Sequence, residues 1–322
     1  MDDKSADIPV ARVVAASIAA GRTMSEVHLG LFVPLTPADR SAIHDRVLSA
    51  EAAGFDWVAL MDHPYVPDSL EIVALLGYLA SATTRINFVS NVFNLPLRPA
   101  AMLAKSAATL DILSGGRLAV GLGAGTQWDR IESLGGPQLS PAEAFQAVVE
   151  AVEVMRAVWG TAATVTAGGR FHRLQNAVPG PRPIHPIKLL IGGAGNRMLD
   201  LTGRRADGWI APIGTPFESK PAAQDRISAA AVASGRDPRD VQRIIQVVGS
   251  IVDHSSTTAA PRSGPGNQPV RATADGWIAI IVEFVRERGY DGVNLILETH
   301  TDEQVRRFET DVLPAARAVL KG

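Results

Sequence analysis

Two short stretches carry the residue types best able to do chemistry. "MDHPY" (61–65) sets an acid, Asp62, directly before a histidine, His63. A histidine titrates near neutral pH and can give a proton or a hydrogen bond to a reacting group. Asp62 can accept a hydrogen bond from a cofactor or orient His63; in the plainer alternative it caps the next segment and His63 is a satisfied core residue. "LLIGGAGNRML" (189–199) places Gly192, Gly193 and Gly195 between an apolar run and a helix-like segment. These glycines form either a tight turn that binds nothing or, with Ala194 and Asn196, a row of bare backbone amides that holds an anion.

Other candidates are less specific. "GLGAGT" (121–126) has the spacing of a dinucleotide-binding fingerprint, but that motif needs a helix opening at its glycines. Here "TQWDRIESLGGP" follows and breaks at Gly135, Gly136 and Pro137 without an apolar stripe. Gly123 and Gly125 therefore read as places where a large planar ligand approaches a strand end, or as crowded packing. Trp128, if it faces the same mouth, points to an apolar or aromatic substrate. His254 is a second histidine candidate at a strand end, just ahead of a long polar segment. None of the 7 histidines lies at HxxxH spacing, and no metal site is expected.

These residues need elements to hold them. Short β-branched runs alternate with segments of helical apolar spacing, and the alternation repeats eight times. Strands are expected at 27–34, 57–63, 85–93, 117–125, 187–193, 208–212, 243–254 and 292–298. Helices are expected at 38–53, 68–82, 98–113, 140–159, 196–205, 218–234, 273–288 and 301–319. Ser140 followed by Glu143 is a capping-box pattern, and Gly54 a helix stop. Eight such units predict an α/β fold, a closed (β/α)8 TIM barrel over 26–322, with candidate residues gathered at the carboxyl ends of the strands. Adjacent strand residues face opposite ways, so Asp62 and His63 can share a cavity only if the strand has ended before them. Two insertions are expected, 160–186 with a hairpin that caps or flanks the site, and 255–271, low in apolar content and expected to be mobile. Residues 1–25 read as a flexible extension, with Met24 an alternative start.

Composition narrows the partners. With 31 basic and 33 acidic residues and a net charge of −2, no global field recruits nucleic acid or an acidic membrane surface. No apolar run reaches the ~18–20 residues that span a bilayer, and the acidic start "MDDKSAD" does not suit a signal peptide. A chain with no cysteine has no disulfide or thiolate metal site, and the cytoplasm is the simplest compartment. The partner expected is a small molecule.

The runs "NVFNLPLRPAAMLAKSAATLDILSGGRLAVGLGAG" (91–125), "GFDWVALMDHPY" and "LLIGGAGNRMLDLTGRRADGWI" together resemble the bacterial luciferase-like superfamily. The likeness extends over nearly the whole chain from Val27. It implies a barrel that binds FMN or the deazaflavin coenzyme F-420 and acts as a monooxygenase or a hydride-transferring reductase or dehydrogenase. It places the cofactor phosphate on Gly192, Gly193, Ala194, Gly195 and Asn196. It places a bulge with a non-prolyl cis peptide behind the ring at Ser90 and Asn91, and Asp62 and His63 beside the ring. The Asp-His pair is closer to the deazaflavin branch than the Glu-His of many FMN monooxygenases. Family sugar-phosphate dehydrogenases carry a glutamate after the fourth-strand glycines, where this chain has Thr126, Gln127 and Trp128, which disfavours a sugar-phosphate substrate. The resemblance also implies a homodimer and a separate flavin or deazaflavin reductase, the flavin reductase in the case of an FMN monooxygenase. The leading expectation is hydride transfer between F-420 and a small apolar or aromatic compound. Its rivals are an FMN monooxygenase using O2, a non-catalytic flavin-binding protein, and a phosphate-recognising isomerase barrel.

Overall fold

The computed structural model describes residues 27–35, 40–299 and 301–321. The extension expected at 1–25 lies outside the described residues. Eight parallel strands close on themselves: β1 His28–Phe32, β2 Trp57–Leu60, β3 Asn87–Ser90, β4 Leu118–Gly123, β5 Lys188–Gly192, β6 Gly208–Ile210, β7 Gln242–Ile251 and β8 Gly292–Leu297. Each pairs with the next, and β8 pairs back onto β1 with His28 opposite Gly292. The fold is a TIM barrel.

Among the described residues, seven helices cover the outside: α1 Arg40–Ala53, α2 Ile72–Ala82, α3 Ala100–Ser114, α4 Pro141–Trp159, α5 Asn196–Arg205, α6 Lys220–Ala233 and α7 Ala274–Arg286. An eighth helical stretch, Asp302–Arg307 and Leu313–Lys321, is joined through a π turn at Phe308–Val312. Ser140 and Glu143 form the expected capping box on α4. "WDRIES", which has no apolar stripe in the sequence, forms a short helix, Trp128–Ser133, whose single buried residue is Ile131. A helix this short leaves almost no periodic signal.

Strand alternation sorts the core. Trp57, Ala59, Val89, Leu190, Ile210 and Ile244 point into the barrel, whereas Val58, Leu60, Phe88 and Leu189 pack against the helices. Trp57 fills the lower interior because its neighbours are glycines: a Cβ at Gly30 would fall 1.8 Å from the indole, and one at Gly292 2.7 Å from it. The barrel is thus plugged below and open above, where loops follow the strand ends.

The segment 160–186 carries an antiparallel hairpin, Val165–Gly168 with Arg173–Ala177. Its tip is pinned to α4, because the buried Glu150 carboxylate accepts the Arg170, Phe171 and His172 N–H groups at 3.1, 2.6 and 3.0 Å. The segment 255–271 departs from the mobile loop expected of it. Ala260 is buried, its N–H donates to Glu283 at 2.8 Å, and Val270–Ala272 adds a parallel strand beside β7. A polar composition concealed these anchors because one buried carboxylate supplies them.

Candidate active site

A cavity of about 1060 Å3 opens at the carboxyl ends of the strands. Its floor is apolar, built from Phe32, Met61, Val92, Ile210 and Ile296. Asp62, His63, Asn91, Gly123, Gly125, Gly192, Gly193, Gly195 and Asn196 all reach its walls. Four other candidates from the sequence do not.

Ser90 is fully buried, and its hydroxyl bridges two strands by accepting the Gly121 N–H at 2.8 Å and donating to the Gly121 carbonyl at 3.0 Å. It is a clamp under the cavity. Ala194 is exposed in the glycine loop and is absent from the walls. Trp128 lies beside Gly125, with its ring edge 3.1 Å from where a Cβ on that glycine would sit, and does not line the cavity. His254 is exposed beyond the end of β7 and is likewise absent from the walls. The strand β7 ends at Ile251, and the chain has already turned away.

The second strand ends at Leu60, earlier than expected, so the alternation rule no longer separates Asp62 from His63. Their surroundings differ sharply. Asp62 is buried and its carboxylate accepts the Asn94 N–H at 2.9 Å and a pair of bonds from Arg98, the Nη2 one at 2.7 Å. Arg98 also reaches Glu71 at 2.7 Å. Asp62 is therefore occupied structurally and is not hydrogen-bonded to His63. The His63 ring stacks on Tyr65, centroids 5.3 Å apart and planes 23° apart, and its nitrogens have no hydrogen-bond partner among the described residues. Burial pushes the His63 pKa below its ordinary value against the pull of the Asp62 carboxylate, and Arg130 adds to the lowering. The ring is held neutral at pH 7, with one nitrogen a donor and the other an acceptor.

The third strand breaks after Ser90. The Asn91–Val92 peptide is cis, and the chain resumes pairing at Phe93–Asn94 alongside Leu122 and Gly123. Val92 is pressed between the glycine strands: a Cβ at Gly123 would meet it at 2.5 Å and one at Gly192 at 3.0 Å. The Asn91 amide donates to Gln246 at 2.6 Å, and Gln246 donates in turn to the Ala211 carbonyl at 3.0 Å.

At the far side, β5 runs through the glycine loop into α5. Trp209 donates its indole N–H to the Gly193 carbonyl at 2.8 Å and fixes the loop. No side chain among the described residues caps the start of α5, whereas that of neighbouring α4 carries a capping box. Gly195, the N-cap, has a φ of −70°, and a Cβ placed on it would meet nothing within 4 Å, so neither backbone strain nor protein packing requires glycine there. Arg197 sits in the same first turn over the Phe145 ring, 4.0 Å from its centroid. A cation there opposes the helix dipole and is out of place unless an anion joins it. Open amides, a guanidinium and a glycine where a side chain would fit suit the phosphate of a flavin-type group.

Sequence reading missed Arg98, Arg197, Gln246 and Phe145. Arg98 is 36 residues from Asp62 and no spacing links them. Arg197 did leave a signal, a basic residue directly after a glycine loop at a helix start. Gln246 left another, a polar side chain in the apolar run "RIIQVVGSIV". Among the described residues no helix is long and apolar enough to cross a membrane.

Residues 23–263 match the family described as luciferase-like monooxygenase. The F420-dependent glucose-6-phosphate dehydrogenase of Intrasporangium calvum is 28% identical over 320 residues, spanning 85% of this chain and 94% of that protein. The pyrimidine monooxygenase RutA of Escherichia coli is 31% identical over 177 residues, 52% of this chain and 45% of RutA. Among solved structures, an F420-dependent secondary alcohol dehydrogenase in complex with an F420-acetone adduct superposes with a TM-score of 0.76 at 22% identity, covering 90% of this chain and 99% of that one.

Proposed function

As the chain belongs to the luciferase-like monooxygenase family, we propose that it transfers a hydride between the deazaflavin coenzyme F-420 and a small apolar carbonyl or alcohol. The observation that carries the reading is the uncapped start of α5 with Gly195 and Arg197 at the edge of a largely apolar cavity, which supports a phosphate cradle there. Gly193, Gly195, Asn196 and Arg197 would hold the phosphate, and Val92, Gly123 and Gly192 would lie behind the ring. When bound, the deazaflavin supplies two-electron hydride chemistry.

The chain's own residues do the rest. Neutral His63 accepts a proton from a substrate hydroxyl on oxidation and returns it to the oxygen on reduction. Asp62 and Arg98 hold the loop that carries His63. Phe32, Met61 and Ile296 exclude water from the reacting centre. Asp62 is the one carboxylate among the described residues of the wall and Arg98 neutralises it, so a cationic substrate finds no partner. Thr126 and Gln127, standing where sugar-phosphate dehydrogenases of the family carry a glutamate, disfavour a sugar phosphate. Titration of the purified protein with F-420 and with FMN, followed by absorbance and fluorescence, tests the reading. Saturable binding of F-420 supports it, and binding of neither overturns it.

The identity to RutA favours a second reading, an FMN monooxygenase supplied with reduced flavin by a separate reductase. Oxygen consumption with chemically reduced FMN and a panel of carbonyl compounds separates the two.

A further inference from the structure

A second cavity, of about 420 Å3, lies beside the first. Ala124 borders both, and Arg98 lines the second while its ion-pair partner Asp62 lines the first. One strand-end residue and one ion pair therefore divide them. The walls of the second are apolar, with Leu95, Leu97, Pro99, Leu139 and Phe171 facing it. Its volume falls within the usual range for pockets that hold small organic ligands.

Two ionisable side chains face this space. The Arg98 guanidinium is bonded to Asp62 and Glu71. The other is His172, at the tip of the hairpin, and its placement is specific. Glu150 accepts the backbone N–H groups of residues 170–172 and locks the tip. His172 Nδ1 accepts the Ala100 N–H, the first amide of α3, at 3.4 Å. An accepting Nδ1 leaves the proton on Nε2. Burial also holds the His172 pKa below its ordinary value, against the Glu150 carboxylate, which keeps the ring neutral. The Nε2–H has no partner among the described residues. An apolar box with one fixed N–H donor is a binding site for an apolar group with one acceptor.

We propose that this second cavity is a side pocket of the reaction chamber that takes a neutral apolar ring of the substrate bearing one hydrogen-bond acceptor, with His172 Nε2–H as its donor. The word substrate rests on the function proposed above, but the pocket is tested without the cofactor. Cofactor-free protein with 15N-labelled histidine is titrated with acetophenone, which carries a carbonyl acceptor, and with ethylbenzene, which does not. Acetophenone should shift the His172 imidazole resonances saturably and bind about three- to tenfold more tightly than ethylbenzene, the range one neutral hydrogen bond provides. His172→Leu should erase that preference while both compounds still bind. Leu139→Trp, which fills the pocket from a partly buried loop position, should weaken both and leave the F-420 titration unchanged. A shift confined to His63, no shift at His172, or unaltered affinity in Leu139→Trp overturns the proposal. Loss of F-420 binding in the wild type would instead strike the proposed function and leave this measurement standing.

Discussion

Arg98 closes on both carboxylate oxygens of Asp62, and the Oδ2 it shares also takes the Asn94 N–H. The pair thus ties the loop after β2 to the loop after β3, the two that carry His63 and Asn91. Asp62 is 2% exposed, so an unpaired charge left there has no access to water. Removing one partner of such a pair costs about 3–5 kcal/mol. Arg98→Met, which strands the buried Asp62 carboxylate, should lower the unfolding free energy by about that amount, and Asp62→Ala by less because Arg98 keeps Glu71, both measured by denaturant titration. The double variant should lose far less than the two together, because the uncompensated charge is gone; full additivity would show that the residues act separately.

His63 makes a pH-dependent contribution of definite sign. Its folded pKa lies below 6.5, chiefly through burial, so the unfolded chain binds the proton more readily. Stability from this group is fully present above pH 6.5 and is lost as pH falls through the lower folded value. His172 behaves alike, for the same principal reason. Unfolding measured across the acid range should show the slope, and His63→Gln with His172→Gln should flatten it. An NMR titration placing either imidazole above 6.5 would contradict the burial argument.

How far the sequence reached follows from the range of each interaction. All eight strands and the helices after them were readable because apolar periodicity is local. The glycine loop was readable because its residues are contiguous. The roles of Ser90, Trp128 and His254 were not, because each depends on where a chain turns within two or three residues of a strand end. Trp128 folds back beside Gly125, and β7 stops three residues before His254. The Asp62–Arg98 contact was out of reach for a different reason: it joins loops brought side by side only when the barrel closes. In the sequence the neighbour of Asp62 is His63, while its neighbours in space are Asn94 and Arg98.

Ser90 separates support from binding. Ser90→Ala removes the acceptor of the buried Gly121 N–H, at a cost of about 1–3 kcal/mol for an unsatisfied group. Gly121→Ala should be worse, since its Cβ would fall 2.1 Å from the Ser90 carbonyl oxygen. Thermal melts should show both losses in that order. The folded Ser90→Ala protein should bind cofactor about as well as the wild type, because the hydroxyl never reaches the cavity. A large loss of affinity at unchanged stability would return Ser90 to the binding site.

Gly195 gives the opposite separation. Its backbone is in an ordinary extended conformation and a Cβ there would meet nothing within 4 Å. Aspartate is a preferred N-cap residue, and α5 lacks a side-chain cap. Gly195→Asp should therefore stabilise the fold by a few tenths of a kcal/mol, seen as a slightly higher melting temperature. The same carboxylate would occupy the proposed cradle, accept hydrogen bonds from the amides proposed to hold phosphate and place a negative charge beside it. Affinity for F-420 or FMN should fall by about a hundredfold or more, since like charges in contact and lost charge-assisted bonds together exceed the ~2.7 kcal/mol that factor requires. Gly195→Ala, which adds bulk without charge, should fall between. A Gly195→Asp protein that melts higher and still binds cofactor at wild-type affinity would place the phosphate elsewhere and leave the uncapped helix unexplained.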